Sequence, residues 1–83
     1  MDTAAQAKVF EIIKKSIRID PATIDPDGDL RKQVSIDSMQ FVTLTARLEM
    51  ELDIELPITV MESKTFNDFL AIVDSEICKK AAS

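Results

Sequence analysis

The sequence predicts an all-α protein, a four-helix bundle with three longer helices, one short helix and a long first loop. Three observations carry this. No stretch alternates apolar and polar residues with period two, as a half-buried strand would. The aromatic segments around Phe10 and Phe66–Phe69 place apolar residues at helical spacing. One glycine and three prolines punctuate 83 residues, so breakers are few. That length fits one small domain, residues 1–83, with a thin core.

The first helix is expected from about Ala4 to Ile17. Thr3 and Gln6 have the spacing of a capping box. Phe10, Ile13 and Ile17 mark its buried stripe, Val9 and Ile12 widen it, and Lys8, Lys14 and Lys15 take the solvent side. Asp20-Pro21 is the predicted stop, because a residue before proline is pushed out of the helical region. Residues 18–36 form a long connection, with Ile24, Leu30, Val34 and Ile36 as anchors to the core. Within it, Asp25-Pro26-Asp27-Gly28-Asp29 reads as a turn. Its acids do not make a calcium loop: the glycine comes too early, and isoleucine stands where a bidentate acid is required.

The second long helix starts at Asp37, an N-cap whose box Gln40 closes, and runs to Glu51 or Leu52. At about 100° per residue, Phe41, Leu44, Thr45, Leu48 and Leu52 share the core face. Met39, Val42, Ala46 and Met50 fall toward the exposed side. Leu56-Pro57 breaks the chain, and a short helical turn is expected over Thr59–Ser63. The last helix takes Thr65 as its cap and runs to about Lys79. Its Phe66, Phe69, Leu70, Val73 and Ile77 give the strongest periodic signal in the sequence. Lys79 and Lys80 complement the carbonyl end of its dipole, and residues 81–83 are expected to fray.

Fifteen acids against ten bases give a net charge of −5. With no lysine or arginine cluster, nucleic acid and anionic membrane surfaces are not expected partners. No apolar run approaches the roughly 18 residues of a membrane span. The opening Met-Asp-Thr-Ala-Ala-Gln lacks the regions of a signal peptide. A single cysteine cannot staple the fold internally, so a cytoplasmic setting is expected. Cys78 lies off the apolar stripe of the last helix and reads as an idle thiol. With no histidine, metal sites, histidine triads and histidine acid–base chemistry drop out. No nucleophile and acid–base set can be assembled, so no catalytic residue is predicted.

The informative spot is Ile36-Asp37-Ser38-Met39. A serine at the first turn of a helix, after a long loop, presents an accessible hydroxyl. The turn's amides point outward, and a phosphate ester there meets the positive end of the dipole, worth roughly 0.3–1 kcal/mol when exposed. That field holds an anion but does not activate the serine, and no histidine is present to do so. Ser38 therefore reads as an acceptor modified by another protein. On local grounds alone the plainer reading, a helix start and nothing more, is favoured.

A wider pattern bears on that choice. Asp37-Ser38-Met39, followed by an amphipathic helix ending in Leu48-Glu49-Met50-Glu51-Leu52-Asp53-Ile54-Glu55-Leu56-Pro57, resembles the acyl carrier protein family. The similarity covers nearly the whole chain in order, including an apolar loop anchor at Leu30. It implies that Ser38 receives 4′-phosphopantetheine from coenzyme A through a phosphopantetheinyl transferase. Asp37 would cap the helix and contact the transferase. The cargo would then ride as a thioester between acyl-loading and acyl-transferring enzymes, for fatty acid, polyketide or other specialised acyl biosynthesis. The carrier is expected to be monomeric.

Departures from the family pattern point to a specialised carrier. Ser35 replaces the family glycine, and Met39 the leucine after the serine. Gln40 and Thr43 occupy positions often acidic in carriers of fatty acid synthesis, Glu49 keeps one acid, and Met50 and Arg47 weaken the charge further. Partner contact is assigned to Met39, Val42, Ala46, Glu49 and Met50, with electrostatic steering weaker than usual. Leu30, Phe41, Leu44, Thr45 and Leu48 are assigned to a cargo space between the second, third and fourth helices, where Phe41 predicts reduced room for long linear chains. Two other readings stand: an aminoacyl, D-alanyl or nonribosomal-type carrier, and an unmodified helical interaction module.

Overall fold

Four α-helices make up the fold, and the computed structural model describes residues 2–35 and 37–82 of the chain. They are α1 (Thr3–Ile17), α2 (Leu30–Gln33), α3 (Ser38–Leu52) and α4 (Phe66–Ala82). Two 3₁₀ helices, Pro21–Thr23 and Ile58–Glu62, occupy the connections. Three helices are long, as expected. The short α-helix lies in the first connection, and the segment anticipated at Thr59–Ser63 is the second 3₁₀ helix.

The cap of α1 is Asp2, not Thr3. Its Oδ1 accepts from the Ala5 amide at 2.7 Å, and Thr3 is the first helical residue. A carboxylate is the better acceptor at a positive helix end and stands one residue earlier. At the other end Arg18, with φ 58°, donates its amide to the Lys14 carbonyl at 2.9 Å. The helix thus stops before Asp20-Pro21, which instead opens the first 3₁₀ helix. There Asp20 Oδ1 accepts from the Ala22 amide at 3.0 Å.

The first connection is held by its own side chains. Asp29 caps α2, its Oδ1 accepting from the amides of Arg31 and Lys32. Gln33 turns back, donating from Nε2 to the Asp25 carbonyl and accepting the Asp25 amide at Oε1. The acids of the 25–29 turn serve the same purpose: Asp25 Oδ1 accepts from the Asp27 amide, and Asp27 Oδ1 from Asn67 Nδ2. The loop is also hooked to the entry of α4. Leu30 N–H donates to the Lys64 carbonyl at 2.8 Å, and Asn67 N–H to Pro26 at 3.0 Å. Arg31 Nη2 donates to the Met61 carbonyl at 2.8 Å.

The entry of α4 follows the sequence. Thr65 Oγ1 accepts from the Asp68 amide at 3.0 Å, and Asp68 Oδ2 accepts from the Thr65 amide. The helix continues past Lys79 to Ala82; Ser83 lies outside the described residues.

One apolar cluster joins all of these elements. It takes Val9, Ile12 and Ile13 from α1, Ile24, Leu30 and Val34 from the connection, and Phe41, Leu44 and Leu48 from α3. Ile54, Val60, Phe66, Phe69 and Val73 complete it. The stripe of α1 is therefore centred on Val9, Ile12 and Ile13, while Phe10 and Ile17 flank it, half-buried. Thr45 is buried and its hydroxyl donates to the Val42 carbonyl at 2.9 Å, which satisfies it. Leu52 is only partly buried at the end of its face. The proposed anchor Ile36 lies outside the described residues.

Candidate functional site

The start of α3 follows from a reciprocal pair of hydrogen bonds. Asp37 Oδ1 accepts from the Gln40 amide at 2.8 Å, and Gln40 Oε1 accepts from the Asp37 amide at 3.0 Å. Two groups that a helix start leaves without intrahelical partners are thereby satisfied. The box fixes where the helix begins, and so makes Ser38 its first residue. Ser38 is exposed. The hydroxyl sits at the positive end of a fifteen-residue helix, where an attached phosphodiester is electrostatically favoured.

Of the five residues assigned from the sequence to partner contact, four are exposed. Met39 and Met50 are 72% and 82% exposed, and Val42 is 48% exposed. Ala46 is exposed as well. Glu49 differs: it is only half-exposed, and its Oε2 accepts from the Leu56 amide at 3.4 Å, tying the chain that leaves α3. Arg47 pairs with Glu51 at 3.8 Å. Ile58, 84% exposed at the head of the second 3₁₀ helix, adds an apolar group that the sequence reading did not single out. Isolated after Pro57, it belongs to no periodic pattern that would have flagged it.

A small apolar cavity of about 30 Å³ has Asp37, the residue before the serine, in its lining. Leu30, Phe41 and Leu44, three of the five residues assigned from the sequence to a cargo space, are among its lining. Thr45 and Leu48 are buried but are not among the described lining residues. The remaining walls come from Ile13 and Ile17 of α1, Ile24 and Val34 of the connection, and Phe66 and Phe69 of α4, with Arg31 and Asp37 as polar members. The space thus lies between α1, the first connection, α3 and α4, rather than against the Ile58–Glu62 segment. Helical periodicity identifies which residues turn inward, but not which neighbour they meet.

Cys78 is exposed and unpaired in a disulfide; its thiol faces Asp74 Oδ1 at 3.8 Å. Among the described residues, no group of three or more potential ligands is placed to hold a metal ion. No described helix is long and apolar enough to cross a membrane.

A family model described as a phosphopantetheine attachment site matches residues 7–73. An acyl carrier protein of Syntrophobacter fumaroxidans is 34% identical over 76 residues, covering 86% of this chain and 94% of that protein. One from Thermosynechococcus vestitus is 28% identical over 71 residues, covering 84% and 88%. The acyl carrier protein AcpXL of Rhizobium etli is 34% identical over 56 residues, covering 68% and 61%.

Proposed function

The chain belongs to the acyl carrier protein family, and from that premise we propose that Ser38 is the residue that carries its prosthetic group. Membership makes the chain a carrier, not a catalyst, with a covalently attached 4′-phosphopantetheine. The observation that supports Ser38 is its position: an exposed hydroxyl on the first residue of α3, set there by the Asp37–Gln40 box. The phosphodiester would join Ser38 Oγ to the arm delivered from coenzyme A by a phosphopantetheinyl transferase. The arm's terminal thiol then holds acyl cargo as a thioester, for fatty acid, polyketide or other specialised acyl synthesis. Residues 1–83 act as one carrier domain, a cytoplasmic monomer.

Met39, Val42, Ala46 and Met50 are the contact surface for loading and transferring enzymes, with Glu49 at its edge. Apolar contact, rather than acidic steering, dominates there, because Gln40, Thr43 and Met50 supply no charge and Arg47 opposes it. The same charge-poor surface favours a second reading, a carrier of aminoacyl cargo. Incubation with acyl and aminoacyl ligases, read by intact mass, separates the two. The attachment itself is tested with coenzyme A and a broad-specificity transferase. The protein is expected to gain the mass of one phosphopantetheine and the Ser38→Ala variant none. An equal gain in the variant, or no gain in the folded parent, overturns the assignment.

A further inference from the structure

We infer that Arg31 is a positioning residue for the prosthetic group, its guanidinium holding the phosphodiester on Ser38, an inference that rests on attachment at Ser38. The described lining of the small cavity contains one cation and one anion, Arg31 and Asp37, in otherwise apolar walls. Asp37 directly precedes Ser38 and caps the helix that Ser38 begins. The arginine and the start of α3 therefore border the same space. Arg31 and Asp37 are also both exposed, so a guanidinium can meet an anion on the exposed serine without anything entering the cavity.

Charge makes the case for a cation at this place. The Asp37 carboxylate and a phosphodiester on Ser38 put negative charges on consecutive residues, in a chain whose net charge is already −5. The positive end of α3 offsets part of this. Its first turn, Ser38 to Phe41, holds no lysine or arginine, and the first cation along the helix, Arg47, pairs with Glu51 at 3.8 Å. Arg31 is the cation that the first connection delivers. Its amide donates to Asp29 Oδ1 at 3.0 Å, and its Nη2 donates to the Met61 carbonyl at 2.8 Å. With backbone and guanidinium both held, little side-chain freedom is left to lose on meeting an anion. The Met61 carbonyl takes only part of the planar fork, and among the described residues the guanidinium has no carboxylate partner. The remaining N–H groups suit the paired oxygens of a phosphodiester, which a guanidinium engages two at a time. The donor set beside the start of α3 thus fits the group.

The test uses the full chain as parent, Arg31→Gln, Arg31→Lys and Lys32→Gln, each with and without the arm, with loading verified by intact mass. Lys32 carries the same charge on the same short helix but is not among the described lining residues, so it serves as the control. In the parent, loading is expected to shift the Arg31 Nε–H signal in NMR spectra and to slow its exchange with water. The phosphorus signal of the arm is expected to move in Arg31→Gln and to stay at the parent position in Lys32→Gln. Arg31→Lys, which keeps the charge and loses the fork, should fall between them. Loading should also raise the melting temperature of the parent at low salt, by no more than the ~4–8 °C that an exposed charge pair allows in a domain of this size. That gain should vanish in Arg31→Gln. An Arg31 Nε–H signal indifferent to the arm, or a phosphorus signal common to the parent and Arg31→Gln, overturns the assignment of Arg31 alone. If Arg31→Gln fails to fold without its bond to Met61, the Arg31 signal of the parent decides. A folded parent that accepts no arm overturns Ser38, and Arg31 with it.

Discussion

Removing the carboxylate of Asp37 separates its two assigned duties, holding the helix and meeting the transferase. In the structure Asp37 Oδ1 accepts from the Gln40 amide at 2.8 Å, while the return bond from Gln40 uses the Asp37 backbone. Asp37→Ala deletes the first bond and leaves the second. Loss of an N-cap costs about 1 kcal/mol. The negative charge at the positive helix end contributes a further ~0.3–1 kcal/mol at an exposed site, and no other acid lies in the first turn of α3. The expected loss is therefore about 1–2 kcal/mol, which in a domain of this size lowers the melting temperature by ~4–8 °C per kcal/mol. Asp37→Asn keeps the acceptor and loses only the charge, so its loss is expected at about 0.3–1 kcal/mol. Urea unfolding of parent, Asn and Ala variants measures the series, and transferase rates on the same samples measure the second duty. A stable Asn variant that is nonetheless modified slowly assigns Asp37 to transferase contact; parallel loss of both assigns it to capping. An Ala variant as stable as the parent refutes the reasoning about the box.

Two further outcomes follow from other parts of the fold. A Cβ added at Gly28 would come within 2.7 Å of Gln33 Nε2, so Gly28→Ala should displace the Gln33 amide from Asp25. At about 0.5–1.5 kcal/mol per hydrogen bond, less for this exposed pair, urea unfolding should show a loss near 1 kcal/mol and the Asp25 amide should exchange faster. On α1, Lys15 hydrogen-bonds Glu11 and holds its carboxyl below the ordinary range of 4.5. That stabilisation is present above the unfolded value and is lost as the pH falls through the lowered folded value. Lys15→Met should move the Glu11 titration seen by NMR upward, and an unchanged midpoint would discount the pair.

The long helices and their caps are legible where one signal dominates. At α3 the Asp37–Gln40 spacing, the inward Phe41, Leu44 and Leu48 and the outward Met39 and Met50 all agree, and the structure follows them. At α1 two signals competed. Thr3-x-x-Gln6 has the pattern of a box, but Asp2 offers the stronger acceptor one residue earlier. Phe10, Ile13 and Ile17 share a helical face with Val9 and Ile12, and the packing of α1 against its neighbours selects Val9, Ile12 and Ile13 as the centre. The four residues of α2 are too few to show a period, and what fixes them is the Asp29 cap with Leu30 and Val34 one turn apart. The cavity was half legible. Its α3 wall follows from periodicity, but the contribution of Ile13, Ile24, Phe66 and Phe69 depends on how helices distant in sequence meet.

Helix α3 is gripped unequally at its two ends. The Ser38 end is closed by hydrogen bonds within its own first turn. The Leu52 end is closed by the Asp53 and Ile54 amides, which donate to the Glu49 carbonyl, and a visitor adds to them: Lys80 of α4 donates to the Leu52 carbonyl and pairs with Asp53, whose φ of 52° turns the chain away. Such a solvent-facing ion pair holds at most about 1 kcal/mol and yields to salt. Raised ionic strength should therefore loosen this added tie at the tail more than the hydrogen-bonded box at the head. The turn that presents the serine does not draw on that pair, so the handle offered to other enzymes keeps its shape when the far tie is screened.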